Sequence, residues 1–119
     1  MTDVVALVRQ YGKDARAASR VLAAATSAQK NQALLKMADL LEAQQAEVLN
    51  ANAQDTAAAE ANGLDAAMVD RLRISAKSLA QMAEGVRQAA ALADPVGEMD
   101  DFKLLDNGVQ LGKMRAPLG

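Results

Sequence analysis

The sequence contains neither histidine nor cysteine. That excludes zinc sites built on imidazole or thiolate, and Ser-His or Cys-His nucleophilic pairs. The remaining groups that could do chemistry are few. Asp100-Asp101 is the only acidic doublet. It lacks the spaced oxygen ligands of a calcium loop and reads as a solvated turn. Glycines at 12, 63, 85, 97, 108, 112 and 119 form neither a G-x-G-x-x-G nor a P-loop. Arg9, Lys13, Arg16 and Arg20 recur at helical spacing and leave two readings open. They make either a solvated flank whose long stems cover apolar surface, or a stripe that docks an anionic ligand or partner. Serine and threonine positions fit caps better than nucleophiles. No catalytic residue, cofactor-binding residue or metal ligand is assigned in this chain, which is incomplete as a self-contained enzyme.

The elements that must position these groups are mostly helices. A first helix runs from about Asp3 to Ala25. Val4, Val8, Tyr11, Ala15, Ala18, Leu22 and Ala25 make its apolar seam, with the cation row beside it. Thr26 and Gln29 stand in capping-box spacing and restart the chain. The second helix carries Leu34, Met37, Ala38, Leu41 and Val48 on one face. Ala43 to Asn62 continues helical, with a kink or short break expected at Asn50 and Asn52, whose side chains compete for backbone groups. Gly63 supplies the stop. Asp65 caps a short helix through Leu72, and Ser75 caps another with Leu79, Met82, Ala83, Val86, Ala90 and Ala93 on its face. Asp94-Pro95 ends it. About four helices therefore fill residues 1–93.

Strand signal appears only after that. Asn107-Gly108 between two alternating runs predicts a β-hairpin with a two-residue type I′ turn. Such a turn pairs Asp106 with Val109, Leu104 with Leu111 and Phe102 with Lys113. It places Phe102, Leu104, Val109 and Leu111 on one face, and these four are the candidate assembly residues. An isolated ribbon is marginal in water and leaves two unpaired edges, so it needs something to pair with.

Composition sets the outer limits. Of the 119 residues 51% are hydrophobic, but 28 are alanine and only 2% are aromatic. The core must then come from Leu, Val, Met and close-packed Ala, a mixture that favours helices. A net charge of −2 argues against a nucleic-acid partner held by phosphate contacts. No apolar run approaches the roughly 18 residues of a membrane span, and the N-terminus lacks a signal-peptide pattern. The expectation is a soluble, cytoplasmic chain with no membrane partner.

Five segments in register resemble the N-terminal part of γ-glutamyl phosphate reductase, also called glutamate-5-semialdehyde dehydrogenase. They are Leu49-Asn50-Ala51-Asn52-Ala53-Gln54-Asp55, Ala61-Asn62-Gly63-Leu64, Met68-Val69-Asp70-Arg71-Leu72, Leu92-Ala93-Asp94-Pro95-Val96-Gly97 and Arg115-Ala116-Pro117-Leu118-Gly119. The resemblance implies an α/β enzyme of the aldehyde dehydrogenase superfamily that uses NADPH to reduce γ-glutamyl phosphate in proline biosynthesis. Its catalytic cysteine and most of its nucleotide-binding fold lie beyond Gly119, so this chain is expected to be an inactive fragment that binds no cofactor. Residues 1–93 become a helical part of the nucleotide-binding domain. Residues 94–119 become part of an oligomerisation arm leading into a missing α/β domain. The implied partners are the remainder of the same polypeptide and further copies in a homo-oligomer, with the small-molecule substrate bound only by the complete enzyme. Asn50, Asn52, Asp55, Asp70 and Arg71 are the polar members of these motifs. They read either as caps, turns and an Arg–carboxylate pair that orders packing, or as contacts to the glutamyl group. The rival from another class is an autonomous helical interaction or scaffold protein.

Overall fold

Local capping chemistry sets the helix boundaries. The computed structural model describes residues 3–118. Among them lie α1 (Val4–Ala23), α2 (Ser27–Ala43), α3 (Gln45–Ala61), α4 (Ala66–Leu72), α5 (Ala76–Ala91), β1 (Met99–Leu104) and β2 (Gln110–Met114). Asp3 accepts from the N–H groups of Val5 and Ala6 to start α1. The box at α2 forms as expected: Gln29 N–H donates to Thr26 Oγ1 (3.1 Å) and Thr26 N–H to Gln29 Oε1 (2.9 Å). Asp65 caps α4 through Met68 N–H at 2.9 Å. Ser75 caps α5 in a reciprocal box with Ser78. Each cap satisfies helix-start N–H groups that have no intrahelical acceptor. Gly63, at φ +78°, follows α3, where its N–H donates to Glu60 C=O and that of Leu64 to Ala59 C=O. This is the paired closure of a Schellman end.

The fold class is the expected one, mainly helical with a C-terminal antiparallel hairpin, with five helices among the described residues where about four were expected. The break falls at Gln44 (φ −102°, ψ 22°), not at Asn50 or Asn52. It is a bend in an almost continuous ladder, since Gln44 N–H still reaches Leu40 C=O (2.9 Å) and Val48 N–H reaches Gln44 C=O (3.1 Å). Asn52 does not break its helix because its amide is engaged elsewhere and leaves the local backbone alone.

The chain divides into two compact units, one of residues 3–30 with 93–118, the other Asn31–Leu92. In the second unit the enclosed apolar side chains are Ala38, Val69, Leu79, Ala83 and Ala90, with Leu79 the largest. Alanine at the helix contacts lets backbones approach closely, as its abundance implied. The predicted faces of α2 and α5 point the right way, although Met37 and Met82 stay half exposed.

In the first unit no residue of α1 is buried, and its seam from Val4 to Leu22 is open. The hairpin of this unit departs from expectation in register. Leu105 N–H donates to Val109 C=O (2.8 Å) and Gly108 N–H to Leu105 C=O (2.9 Å). Three residues therefore form the loop, a turn over Asp106-Asn107 followed by Gly108 at φ +83°. That is the three-residue hairpin solution, in which only the glycine takes the left-handed conformation. Lys103 faces Leu111 and Leu104 faces Gln110, one residue away from the expected pairing. A one-residue slip turns a strand's side chains to the opposite face. Phe102 and Leu104 thus lie on one face with Gln110 and Gly112, while Val109 and Leu111 lie on the other with Lys103. A bulge restores the pairing further on. Asp101 and Phe102 together oppose Gly112, beyond which Asp100 pairs with Lys113 and Met99 with Met114. Asp101 takes φ +54° to accommodate the extra residue.

Candidate functional site

Asn52 is the polar residue of the matched motifs that the fold uses most fully. It continues the stripe of Val48 one turn later, and Thr56 follows one turn after that. The Asn52 side chain is 7% exposed. Its Nδ2 donates to Leu72 C=O (2.8 Å), and its Oδ1 accepts from Ile74 N–H (2.7 Å). The amide thereby bridges α3 to the last residue of α4 and to the linker that follows it, where the C=O and N–H have no intrahelical partner. Thr56, also buried, satisfies its hydroxyl on Ala53 C=O at 3.0 Å. These contacts are structural, which agrees with the packing reading of Asn52 and leaves no free amide for a ligand.

The other polar motif members do not converge. Asn50, Asp55, Asp70 and Arg71 are exposed. Asp70 lines a cleft of about 410 Å³ with Glu60, Leu64, Ala66, Val69 and Arg73. Among the described ion pairs, the arginine that engages here is Arg73, 3.6 Å from Glu60, and not Arg71. An arginine–carboxylate pair does form in this region, between Arg73 and Glu60 on the surface. Asp101, half of the acidic doublet, faces Lys113 (3.1 Å) and Lys103 (3.8 Å) across the bulge. Its neighbours are cations, which suits a charge-neutralised bulge and not a metal.

Two ionic clusters were not singled out from the sequence. Asp94 accepts from Ser27 Oγ (2.8 Å) and Val96 N–H (3.0 Å) and pairs with Lys30. The Lys30 ammonium first, then the Ser27 hydroxyl and the Val96 amide, hold the Asp94 carboxyl down at about 2. The residue before Pro95 so ties the first turn of α2 to the entry of the hairpin. In the other unit Arg87 grips Glu42 with both ends of its guanidinium (2.8 and 2.7 Å) and reaches Asp39 at 3.1 Å. Hydrogen bonding to Arg87 keeps Glu42 below the ordinary carboxylate range, and the two carboxylates in turn raise Arg87. The sequence signal for this cluster was the i, i+3 spacing of Asp39 and Glu42 on one side of α2. Nothing local could say which distant cation meets them.

The polar groups of Asn52, Asp94 and Arg87 hold one segment to another, and among these residues none presents an activated nucleophile, base or phosphate cradle. The described residues form five helices and a C-terminal antiparallel β-hairpin. No family model matches the sequence. Its fold and sequence are similar to part of γ-glutamyl phosphate reductase of Thermotoga maritima, with a TM-score of 0.84 and 34% identity over 88% of this chain and 25% of that one. The γ-glutamyl phosphate reductase of Saccharomyces cerevisiae matches with a TM-score of 0.82 and 31% identity, over 91% of this chain and 28% of its own. The chain is similar to these two γ-glutamyl phosphate reductases over most of its own length and spans about a quarter of the length of these enzymes.

Proposed function

We propose that this chain is the N-terminal part of a cytoplasmic, NADPH-dependent reductase that converts γ-glutamyl phosphate to glutamate 5-semialdehyde in proline biosynthesis. The match to two reductases at 34% and 31% identity, across nearly all of this chain, supports that assignment. Residues 1–93 serve as a helical part of the nucleotide-binding domain. Residues 94–119 serve as part of the oligomerisation arm, with Phe102, Leu104, Val109 and Leu111 contributing to assembly. The register assigns those four to two faces, so the arm offers apolar contacts on both sides.

Catalysis belongs to the rest of the enzyme. Reduction of an acyl phosphate through a covalent acyl-enzyme needs a strong nucleophile such as a thiolate, and this sequence has no cysteine. Its residues do not fit a dinucleotide either: among the described residues there is no strand–turn–helix unit with a glycine-rich turn, and the sheet is an antiparallel pair. Hydride donation by NADPH, and the binding of substrate, therefore fall to the remainder of the polypeptide. What these 119 residues do is position it.

A chimera tests this. The present chain is joined to the three-quarters of the Thermotoga maritima reductase that it does not match, and activity is followed in reverse as phosphate-dependent reduction of added NADP+ to NADPH by glutamate 5-semialdehyde, which is oxidised to γ-glutamyl phosphate. The chimera is expected to turn over and the separate chain to be inactive. A folded chimera without activity, or turnover by the separate chain shown free of longer material, refutes the assignment.

A further inference from the structure

The sequence has two Asn-Gly steps, Asn62-Gly63 at the end of α3 and Asn107-Gly108 in the hairpin loop. The fold gives their glycines matching surroundings. Both take the left-handed conformation, Gly63 at φ +78° and Gly108 at φ +83°. Each glycine N–H donates to the carbonyl three residues back, Gly63 to Glu60 at 3.0 Å and Gly108 to Leu105 at 2.9 Å. A Cβ would meet nothing at either position, so both peptides are sterically open.

The two steps differ in what the next N–H does. Leu64 N–H is spent on the helix, closing the Schellman end on Ala59 C=O at 3.0 Å. Val109 N–H donates instead to the Asn107 side chain, meeting Oδ1 at 3.1 Å. This is an Asx-turn. The ring it closes runs from Asn107 Cγ through the Asn107 main chain and Gly108 to the Val109 nitrogen. The side-chain amide is thereby held folded toward the peptide that follows it.

We infer that Asn107 is a self-modification site, where the chain deamidates and isomerises by reaction with its own backbone and water. Released from Leu105 C=O and deprotonated by hydroxide, the Gly108 nitrogen attacks Asn107 Cγ. The N–Cγ bond forms, the Cγ–Nδ2 bond breaks, and Nδ2 leaves as ammonia with a proton from water. Water then opens the cyclic imide. Cleavage at Cγ leaves aspartate, and cleavage at the main-chain carbonyl leaves isoaspartate. Nothing is oxidised or reduced.

Glycine has no Cβ to obstruct the ring closure. Negative charge develops on Oδ1 as the nitrogen adds, and that is the atom Val109 N–H already meets, so the donor is preorganised for the intermediate. Freeing the glycine N–H is a cost that both Asn-Gly steps share. The side-chain contact therefore decides between them. Every atom involved lies between Leu105 and Val109. The isoaspartyl product routes the main chain through Cβ and Cγ and lengthens the loop by an atom. A three-residue loop closed by Leu105 N–H on Val109 C=O at 2.8 Å cannot absorb that in the same register. The hairpin is untied at its tip, with a new carboxylate beside Asp106.

Incubation of the 119-residue chain at mildly alkaline pH, followed by peptide mapping in a mass spectrometer, tests the site. Trypsin releases Leu104 to Lys113 with Asn107 as its only asparagine. In the folded chain Asn107 is expected to convert at least tenfold faster than Asn62, and in urea, where neither N–H is placed, the gap is expected to vanish. A folded-state gap short of tenfold, or one that survives in urea, overturns the inference. The isoaspartyl fraction, separated by chromatography, is expected to exchange its Leu105 amide at least tenfold faster than the parent. Unchanged protection there overturns the untying of the loop.

Discussion

Replacing Asn52 by alanine removes both hydrogen bonds that hold α3 to the end of α4 and the linker after it. The two bonds, at 2.8 and 2.7 Å, are well formed and lie where the side chain is 7% exposed. Each is worth about 0.5–1.5 kcal/mol net. Alanine returns about 0.7 kcal/mol through its better helix propensity. Leu72 and Ile74 are not fully buried, so water rescues part of the orphaned C=O and N–H. A net loss of about 1–2 kcal/mol is expected, a shift in Tm of roughly 4–8 °C for each kcal/mol in a small domain. Urea unfolding followed by far-UV circular dichroism measures the stability. Exchange at the Ile74 amide measures the local bond and should accelerate in Asn52→Ala even where the global change is small. Asn52→Asp keeps the acceptor for Ile74 but aims a carboxylate at Leu72 C=O. Its loss should exceed that of alanine near neutral pH and shrink as the carboxyl is protonated. An Asn52→Ala protein of unchanged stability, with Ile74 exchanging as before, refutes the bridge.

Other outcomes follow from the same geometry. Asp94 is depressed from an ordinary 3.8 to about 2, so its contribution is complete above the unfolded value and is lost as pH falls from about 4 to about 2. Asp94→Asn should be less stable than the parent at pH 6 and equal to it near pH 2 in acid-unfolding curves. Arg87→Ala should return Glu42 upward toward its ordinary 4.5 in an NMR titration, and Arg87→Lys should do so only in part, because a lysine cannot grip both carboxylate oxygens. Gly112→Ala places a Cβ 2.8 Å from the Phe102 ring and should disturb the hairpin's chemical shifts. The same change on a Phe102→Ala background should be nearly silent, a non-additivity that a double-mutant cycle reads directly.

How much of this was legible in advance depended on the range of the interaction. Thr26 with Gln29, Asp65 with Met68, and Ser75 with Ser78 act over three residues, and the sequence holds both partners of each within one turn. Gly63 is the same case at a helix end. The family resemblance was likewise legible, because it lay in the order of short motifs. Asn52 was noticed as a poor interior residue, and the inference of a kink failed because the competing partners lay 20 and 22 positions away, at Leu72 and Ile74. Its place in line with Val48 and Thr56 was the available hint that it points inward. The hairpin failed more narrowly. Asn107-Gly108 marked the turn correctly, yet the choice between a two- and a three-residue loop depends on strand twist and on a bulge six residues away. That one-residue difference decides which side chains share a face.

By itself, then, the sequence determined the helical character, the caps, the hairpin's position, the lack of thiol and imidazole chemistry, and the reductase resemblance. All of these depend on residue types and on spacings of a turn or less. The tertiary structure alone decided that Asn52 bridges instead of breaks, that Arg87 meets Glu42 and Asp39, that Asp94 ties the start of α2 to the entry of the hairpin, and that the hairpin pairs one residue away from the expected register. Those outcomes depend on which distant segments are brought within about 3 Å, the reach of a hydrogen bond. No local propensity encodes that distance.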